Sequence, residues 1–355
     1  MKSRLILLNL LVICAWLVVS TGCDGQTPLP ATPIPPAAPS VTATSLPQPT
    51  ATATATTPPT ATATIPSTAT TAPLPTATPL GGGSGQISFS SNRDGSYLNI
   101  YTMDIAGSNI KRLLQADANA FAGPWSPSSA EGRMMLYTGF GLLHSFVGIM
   151  NADGSGQTDL TQQPKSDEGF PAWSPDGKLI AFTSRRDGNN EIYVMNADGT
   201  HATRLTTAPG DDFAPAWSPD GGNIVFVSDR DRTTGIYSIY SMNADGSQVK
   251  RLTNSPSSDY TPAWSPDGKH IAFRATQNGT MDIAVIAADG SDLRNLTGGK
   301  GNNESPAWSP DGTQILFSTN RDGNWEIYVT TGADGANPRN LTNNPADDEY
   351  PNWVP

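Results

Sequence analysis

The chain has 355 residues, a formal net charge of −11 and two cysteines, Cys14 and Cys23. An acidic balance argues against binding a phosphate backbone, which needs a basic face. With both cysteines in the first 23 residues, no disulfide can staple the rest of the chain, so its fold must be held by packing.

Lys2 and Arg4 precede an apolar run from Leu5 to Val19 that is interrupted only by Asn9. This is the charged n-region and apolar h-region of an export signal, shorter than a typical membrane span, with an ordinary secretory signal or an uncleaved anchor as the alternative readings to a lipoprotein signal. Ser20, Thr21 and Gly22 then lead to Cys23, and the segment resembles a bacterial lipoprotein signal. The resemblance implies a signal peptide over 1–22 and Cys23 as the lipidated first residue of the mature protein. Ser20 departs from the aliphatic residue usual at that place. Loss of Lys2 and Arg4 takes the mature net charge to −13. The expected location is the extracytoplasmic side of a membrane, held by the lipid.

Residues 23–85 read as a linker. Over 24–80 they are almost entirely Thr, Ala, Pro and Ser, with Asp24 as the only charge. Prolines remove backbone donors and fix φ, and there is almost no apolar periodicity from which to build a core. The expectation is a disordered, largely polyproline-II spacer, with a reach of roughly 170 Å if fully extended at about 3.1 Å per residue. Gly81-Gly82-Gly83-Ser84-Gly85 closes it.

From about residue 86 the chain is repetitive. Pro-Ala-Trp-Ser-Pro-Asp-Gly stands unbroken at 171–177, 215–221, 262–268 and 306–312. Reduced copies are Pro124-Trp125-Ser126-Pro127 and Tyr350-Pro351-Asn352-Trp353. The tryptophans at 125, 173, 217, 264, 308 and 353 are 48, 44, 47, 44 and 45 residues apart. A period in the forties carried by short strand-like runs marks a repeat architecture. In the copy over 171–206, Pro171 to Ser174 is a short strand and Ser174-Pro175-Asp176-Gly177 a turn, with Pro presetting φ and Gly closing it. Leu179 to Thr183, Ile192 to Met195 and Thr203 to Thr206 supply three further strands, separated by turns at Arg186-Asp187-Gly188 and Ala197-Asp198-Gly199. Four antiparallel strands with tight turns make one propeller blade. Each tryptophan is expected in the core, where burying about 200 Å² contributes at most about 5 kcal/mol.

The Trp-Ser-Pro-Asp-Gly, Arg-Asp-Gly, Ile-Tyr-Val and Arg-Leu-Thr segments resemble the TolB-type β-propeller repeat, a relative of WD-repeat propellers. The likeness covers residues 86–355. It implies an all-β propeller of four-stranded antiparallel blades. Such propellers serve as binding platforms and as accessory domains of peptidases, so the likeness implies binding without naming a ligand. The amino-terminal domain of TolB has no counterpart here, and the linker takes its place.

Blade counting predicts six. The domain opens on Ile87-Ser88-Phe89, equivalent to a second strand, and ends on Tyr350-Pro351-Asn352-Trp353-Val354-Pro355, a first strand with nothing after it. The carboxyl-terminal strand is therefore expected to complete blade 1, removing two exposed edges.

Candidate binding residues lie on one face, where the loop entering strand one and the loop joining strands two and three come together. Three residues before the proline stand Glu168, Asp212, Asp259, Asn303 and Asp348, with Phe121 in the reduced copy. The middle loops carry Arg186, Arg230, Gln277, Arg321 and Arg93, with Phe140. Acid and arginine are 18 residues apart in the regular copies, which brings them close across adjacent antiparallel strands. Two readings stand: a brace within each blade, or a charged ring at the channel mouth that binds a polar ligand or a peptide. Blade 2 departs most, with Gly139-Phe140-Gly141-Leu142-Leu143-His144-Ser145-Phe146 replacing the charged loop. Its apolar residues Phe121, Phe140, Leu142 and Leu143 are candidates for a partner site, or for a loop that buries its own side chains.

Catalytic signatures do not stand out. There is no Gly-x-Ser-x-Gly elbow, the three histidines lie in different repeats, and the repeats hold no cysteine nucleophile. Asn-Ala-Asp-Gly at 151–154, 196–199 and 243–246 lacks the alternating ligands of a calcium loop and reads as a tight turn. The expectation is a non-catalytic, monomeric propeller without metal or cofactor, binding a protein, peptide or envelope polymer and no nucleic acid. The alternative is a carbohydrate-processing or other hydrolytic or lyase enzyme with carboxylates such as Asp212 and Asp259 at the channel mouth.

Overall fold

In the computed structural model the described residues are 85–127, 132–163, 166–231, 235–277, 279–330 and 334–355. The signal segment, Cys23 and the linker lie outside them. The β-branched and aromatic runs form strands that pair into four-stranded antiparallel sheets. The first sheet uses β1 (Gln86–Ser91), β2 (Asn99–Asp104) and β3 (Lys111–Leu114). The second is β4 (Ala120–Trp125), β5 (Met134–Phe140), β6 (Ser145–Asn151) and β7 (Thr158–Asp159). The third is β8 (Glu168–Trp173), β9 (Leu179–Ser184), β10 (Glu191–Asn196) and β11 (Thr203–Arg204). The fourth is β12 (Asp212–Trp217), β13 (Asn223–Ser228), β14 (Ser238–Asn243) and β15 (Lys250–Arg251). The fifth is β16 (Asp259–Trp264), β17 (His270–Gln277), β18 (Thr280–Ala287) and β19 (Arg294–Asn295). The sixth is β20 (Asn303–Trp308), β21 (Ile315–Thr319), β22 (Glu326–Val329) and β23 (Arg339–Asn340). The last strand, β24 (Asp348–Val354), returns to the first sheet beside β1.

The result is a six-bladed propeller closed as expected. Gln86 pairs with Val354, Ile87 with Trp353 and Ser91 with Asp348, so β1 is paired on both sides and β24 becomes the inner strand of its blade. Hydrophobic clusters fill the seams between blades. The seam of blades 1 and 6 packs Ile87, Phe89 and Met103 against Leu316, Ile327 and Trp353. One second-strand phenylalanine in each of five blades is fully buried: Phe89, Phe182, Phe226, Phe273 and Phe317. Each contributes about 1.5–3 kcal/mol of burial. Indole N–H groups add ties across seams, Trp308 to the Ala263 carbonyl at 3.2 Å and Trp353 to that of Ala307 at 3.1 Å.

The turns explain their own sequences. In the Asn-Ala-Asp-Gly turns the aspartate caps its loop: Asp153 Oδ1 accepts from the Ser155 N–H at 2.9 Å, and Asp245 from Ser247 at 2.9 Å. The following glycine is required by contact with the neighbouring blade. At Gly107 (φ +84°) a Cβ would meet the Leu341 carbonyl oxygen at 2.1 Å, across the seam that closes the ring.

Each inner strand bulges at the motif's proline. Register shifts fall at Gly169/Ala172, Phe213/Ala216, Tyr260/Ala263 and Glu304/Ala307. The residue before the proline is left-handed in five blades: Phe170 (φ 49°), Ala214 (51°), Thr261 (47°), Ser305 (54°) and Tyr350 (55°). Residues before proline favour extended backbone, and left-handed non-glycine residues cost on the order of 1–3 kcal/mol. A hydroxyl on the preceding blade accepts the bulge N–H in several of them. Phe170 donates to Thr138 at 3.0 Å, Ala214 to Thr183 at 3.0 Å and Tyr350 to Ser318 at 3.2 Å.

The Ser-Pro-Asp-Gly and Asn-Ala-Asp-Gly turns occupy one face of the ring, and Gly85 and Pro355 lie at that end. The Arg-Asp-Gly loops and the connections between blades occupy the other, called here the loop face.

Candidate functional site: the channel mouth on the loop face

The acid and arginine of the repeat meet as their spacing predicts. Arg93 binds Asp348 at 2.9 Å, Arg186 binds Glu168 at 3.0 Å and Arg230 binds Asp212 at 2.9 Å, while Arg321 donates to the Asn303 amide oxygen at 3.0 Å. Glu168, Asp212, Asn303 and Asp348 are wholly buried. Each guanidinium also covers an aromatic pair on strands two and three; that of Arg186, for example, lies 5.6 Å from Phe182 and 4.6 Å from Tyr193. The next residue of the Arg-Asp-Gly loop completes the clamp. Asp94, Asp187, Asp231 and Asp322 each accept from the hydroxyl of the third-strand tyrosine (Tyr101, Tyr193, Tyr240 and Tyr328), and the first three also bind a fourth-strand arginine. Burial and the nearby carboxylate push the Tyr101 and Tyr193 phenols up to about 12. One loop thus braces all four strands in blades 1, 3, 4 and 6.

Blades 2 and 5 lack the brace, and they face each other across the channel. In blade 5 the arginine's place is taken by Gln277, whose side chain accepts from Asn295 rather than engaging Asp259. Asp259 is wholly buried, accepts from the Ser255 hydroxyl at 3.0 Å and has no arginine within ion-pair distance among the described residues. Desolvation pushes its carboxyl up to about 6. Asp212 is also raised to about 6, by a desolvation that outweighs Arg230.

In blade 2 the structure corrects two sequence assignments. Ala120 pairs with Gly139 as Glu168 pairs with Ser184, so Ala120, not Phe121, holds the acid's position. Ala122 donates its N–H to Ser90 at 2.8 Å, the bond that Phe170 makes to Thr138, which puts Pro124 one position later than in the other copies. Aligning on the proline hid this offset. By the same register Phe140 matches Arg185 and Gly141 matches Arg186. Phe121 and Phe140 do meet, with ring centroids 4.8 Å apart, and Phe121 stacks on Tyr350 at 4.5 Å. Phe146 fills the position of Glu191 and lies over Gly139, so the charged brace is replaced by apolar packing. The loop does not fold over its own tip: Leu142 is 104% and Leu143 90% exposed.

A second layer was missed by spacing alone. The residue after the acid's position on each inner strand is Phe121, Gly169, Phe213, Tyr260, Glu304 or Glu349 in ring order from blade 2. Aromatic contacts run between blades here, Phe170 to Phe213 at 6.2 Å and Phe213 to Tyr260 at 6.2 Å, with Tyr237 at 5.3 Å from Phe213. Blades 6 and 1 instead bring Glu304 and Glu349. Arg274 of β17 stands where other blades have Ser90, Thr138, Thr183, Val227 and Ser318. It binds Glu304 at 3.2 Å and stacks 3.9 Å over the Tyr260 ring. Enclosure and the charges of Glu304, Asp347 and Asp348 hold the Glu349 carboxyl well above the usual range. The signal that could have found this layer was an arginine inside a hydroxyl-bearing strand position. Beneath it lies a largely apolar cavity of about 700 Å³ walled by the motif's prolines and tryptophans.

The sequence model of the TolB β-propeller domain matches residues 91–355. The chain belongs to the TolB β-propeller family. Among solved structures it is similar to TolB from Acinetobacter baumannii, with 25% identity and a TM-score of 0.67, covering 77% of this chain and 67% of that one. A putative TolB from Agrobacterium tumefaciens shares 23% identity over 72% of this chain and 87% of its own, with a TM-score of 0.57. Hydrazine synthase from Kuenenia stuttgartiensis shares the fold at 18% identity and a TM-score of 0.62, over 76% of this chain and 47% of its own. No curated protein matches by sequence. The fold therefore occurs both in TolB proteins and in an enzyme, and suits a binding role.

Proposed function

We propose that this TolB-family propeller is a non-catalytic, extracytoplasmic binding module that captures a protein partner on its loop face. The observation that carries the proposal is the blade 2 loop. It replaces a four-strand brace with two fully exposed leucines beside the Phe140–Phe121–Tyr350 aromatic stack. Exposed adjoining apolar side chains on an otherwise polar loop face favour partner contact, and aromatic anchors at their base supply rigid area for it. Asp212 and Asp259, the carboxylates considered for acid–base work, are buried within their blades, which favours binding over hydrolysis. The chain enters the propeller at Gly85, on the turn face.

The test is crosslinking and affinity capture from native membranes with the full-length protein and the Leu142→Ser/Leu143→Ser double variant. Partner recovery is expected to fall at least tenfold while the thermal midpoint stays unchanged. Undiminished recovery refutes the assignment of the surface.

A further inference from the structure

The inner strand of each blade turns one edge to the channel, and an unpaired strand edge is ordinarily a row of polar, water-binding groups. In this propeller much of that edge is silenced. The motif's proline brings no N–H to it. The N–H of the residue before the proline turns to a hydroxyl of the preceding blade, as Phe170 does to Thr138, Ala214 to Thr183 and Tyr350 to Ser318. The carbonyl of the alanine after the proline is taken by an indole N–H of the next blade, Ala263 by Trp308 at 3.2 Å and Ala307 by Trp353 at 3.1 Å. What faces the cavity is mainly proline rings, alanine methyls and tryptophan side chains, and none of the described residues that line it carries a charged side chain. Phe121, Phe170 and Tyr350 stand at its loop-face end, and Pro127, Pro175 and Pro219 at its turn-face end.

Five of the six inner strands are six residues long. The cavity of about 700 Å³ runs along them for roughly 20 Å, at about 3.3 Å per residue, and so averages about 35 Å² in section. Its volume is that of a small-molecule site, but its shape is a narrow tube. A charged group inside such a tube would be desolvated without a partner. Water there is weakly held, and an apolar chain that displaces it gains affinity.

We infer that the central channel is a binding site for a single hydrocarbon chain, acyl or isoprenoid, lying along the ring axis against the prolines and tryptophans of the repeat. A polar end of the ligand stays at the rim, outside the walled length. The site goes beyond the partner surface proposed above, since neither Leu142 nor Leu143 lines it.

The test is photocrosslinking of the full-length protein in phosphatidylcholine vesicles by hexadecanol carrying a mid-chain diazirine, with adducts mapped by peptide mass spectrometry. Adducts are expected on the Pro-Ala-Trp segments, and an excess of unlabelled hexadecanol or farnesol should lower them at least tenfold; which of the two competes tells an acyl from an isoprenoid source. Hexanol, too short to line the tube, and pyrene, a rigid fused ring, should compete at least tenfold less well. Ala216→Leu/Ala263→Leu adds bulk to the wall and should lower the adducts at least tenfold; the wild-type arms stand by themselves if that variant loses its melting transition. Adducts confined to Leu142 and Leu143 or spread over the outer surface, labelling that neither chain displaces, equal competition by hexanol or pyrene, or undiminished labelling of the folded Ala216→Leu/Ala263→Leu protein each overturns the inference.

Discussion

Asp259→Asn should make this propeller more stable at neutral pH. Asp259 is wholly buried, takes hydroxyl hydrogen bonds from Ser255 and lacks the arginine that the same position enjoys in blades 1, 3 and 4. Its carboxyl is raised from 3.8 to about 6, because desolvation outweighs its hydrogen bonds. A group whose pKa is raised by folding stabilises the fold below its unfolded pKa and loses that contribution as pH rises through the folded value. The window is therefore pH 4 to 6. A shift of about two units corresponds to about 3 kcal/mol at pH 7. Blade 6 already carries the remedy. Asn303, at the equivalent place, donates its amide to the carbonyls of Met281, Lys300 and Gly301 at 3.0–3.3 Å. In blade 5 the Tyr237 carbonyl stands where Met281 does. The measurement is the thermal midpoint of wild type and variant from pH 4 to 8, where about 3 kcal/mol corresponds to roughly 6–12 °C in a domain of this size. The gain should be greatest above pH 7 and vanish near pH 4. A variant with no advantage at pH 7.5, or an equal one at pH 4, refutes the electrostatic argument.

Other outcomes follow from the same geometry. Deleting residues 348–355 removes β24 and opens β1, so the truncated chain should aggregate on size-exclusion chromatography and be cut rapidly by protease; a stable monomer would refute the closure. Gly107→Ala should unfold several degrees below wild type because the new methyl collides with the Leu341 carbonyl, whereas Gly95→Ala, with nothing within 4 Å, should melt within about a degree. Thr138→Val strands the Phe170 N–H and should cost about 1–3 kcal/mol in urea unfolding; a cost below about 0.5 kcal/mol would show that the bulge does not need this bond.

Local sequence was a good guide wherever one blade answers for itself. Turn chemistry placed Ser-Pro-Asp-Gly and Asn-Ala-Asp-Gly at strand ends, because proline and glycine restrict φ regardless of what surrounds them. The eighteen-residue spacing of Glu168 and Arg186 anticipated their contact, since register within a hairpin follows from turn length. The unpaired first and last strands anticipated Gln86 beside Val354. Blade 2 was misaligned because a one-residue offset inside a bulge keeps the residue types and changes only which of them faces the channel. Ala120 and Phe121 exchange roles without any signal in composition.

By itself the sequence determined the repeat, the number of blades, the strand order and the closure of the ring, all of which depend on patterning within about forty-five residues and on the mismatch of the two ends. Only the tertiary structure decided which charges are spent inside a blade and which meet across it. Glu168 and Arg186 belong to one repeat, but Arg274 and Glu304 come from blades 5 and 6 and meet only when those blades pack side by side. Contacts within a repeat are fixed by short-range register. Contacts at the channel are fixed by the angle at which six blades pack, and no single repeat encodes that angle.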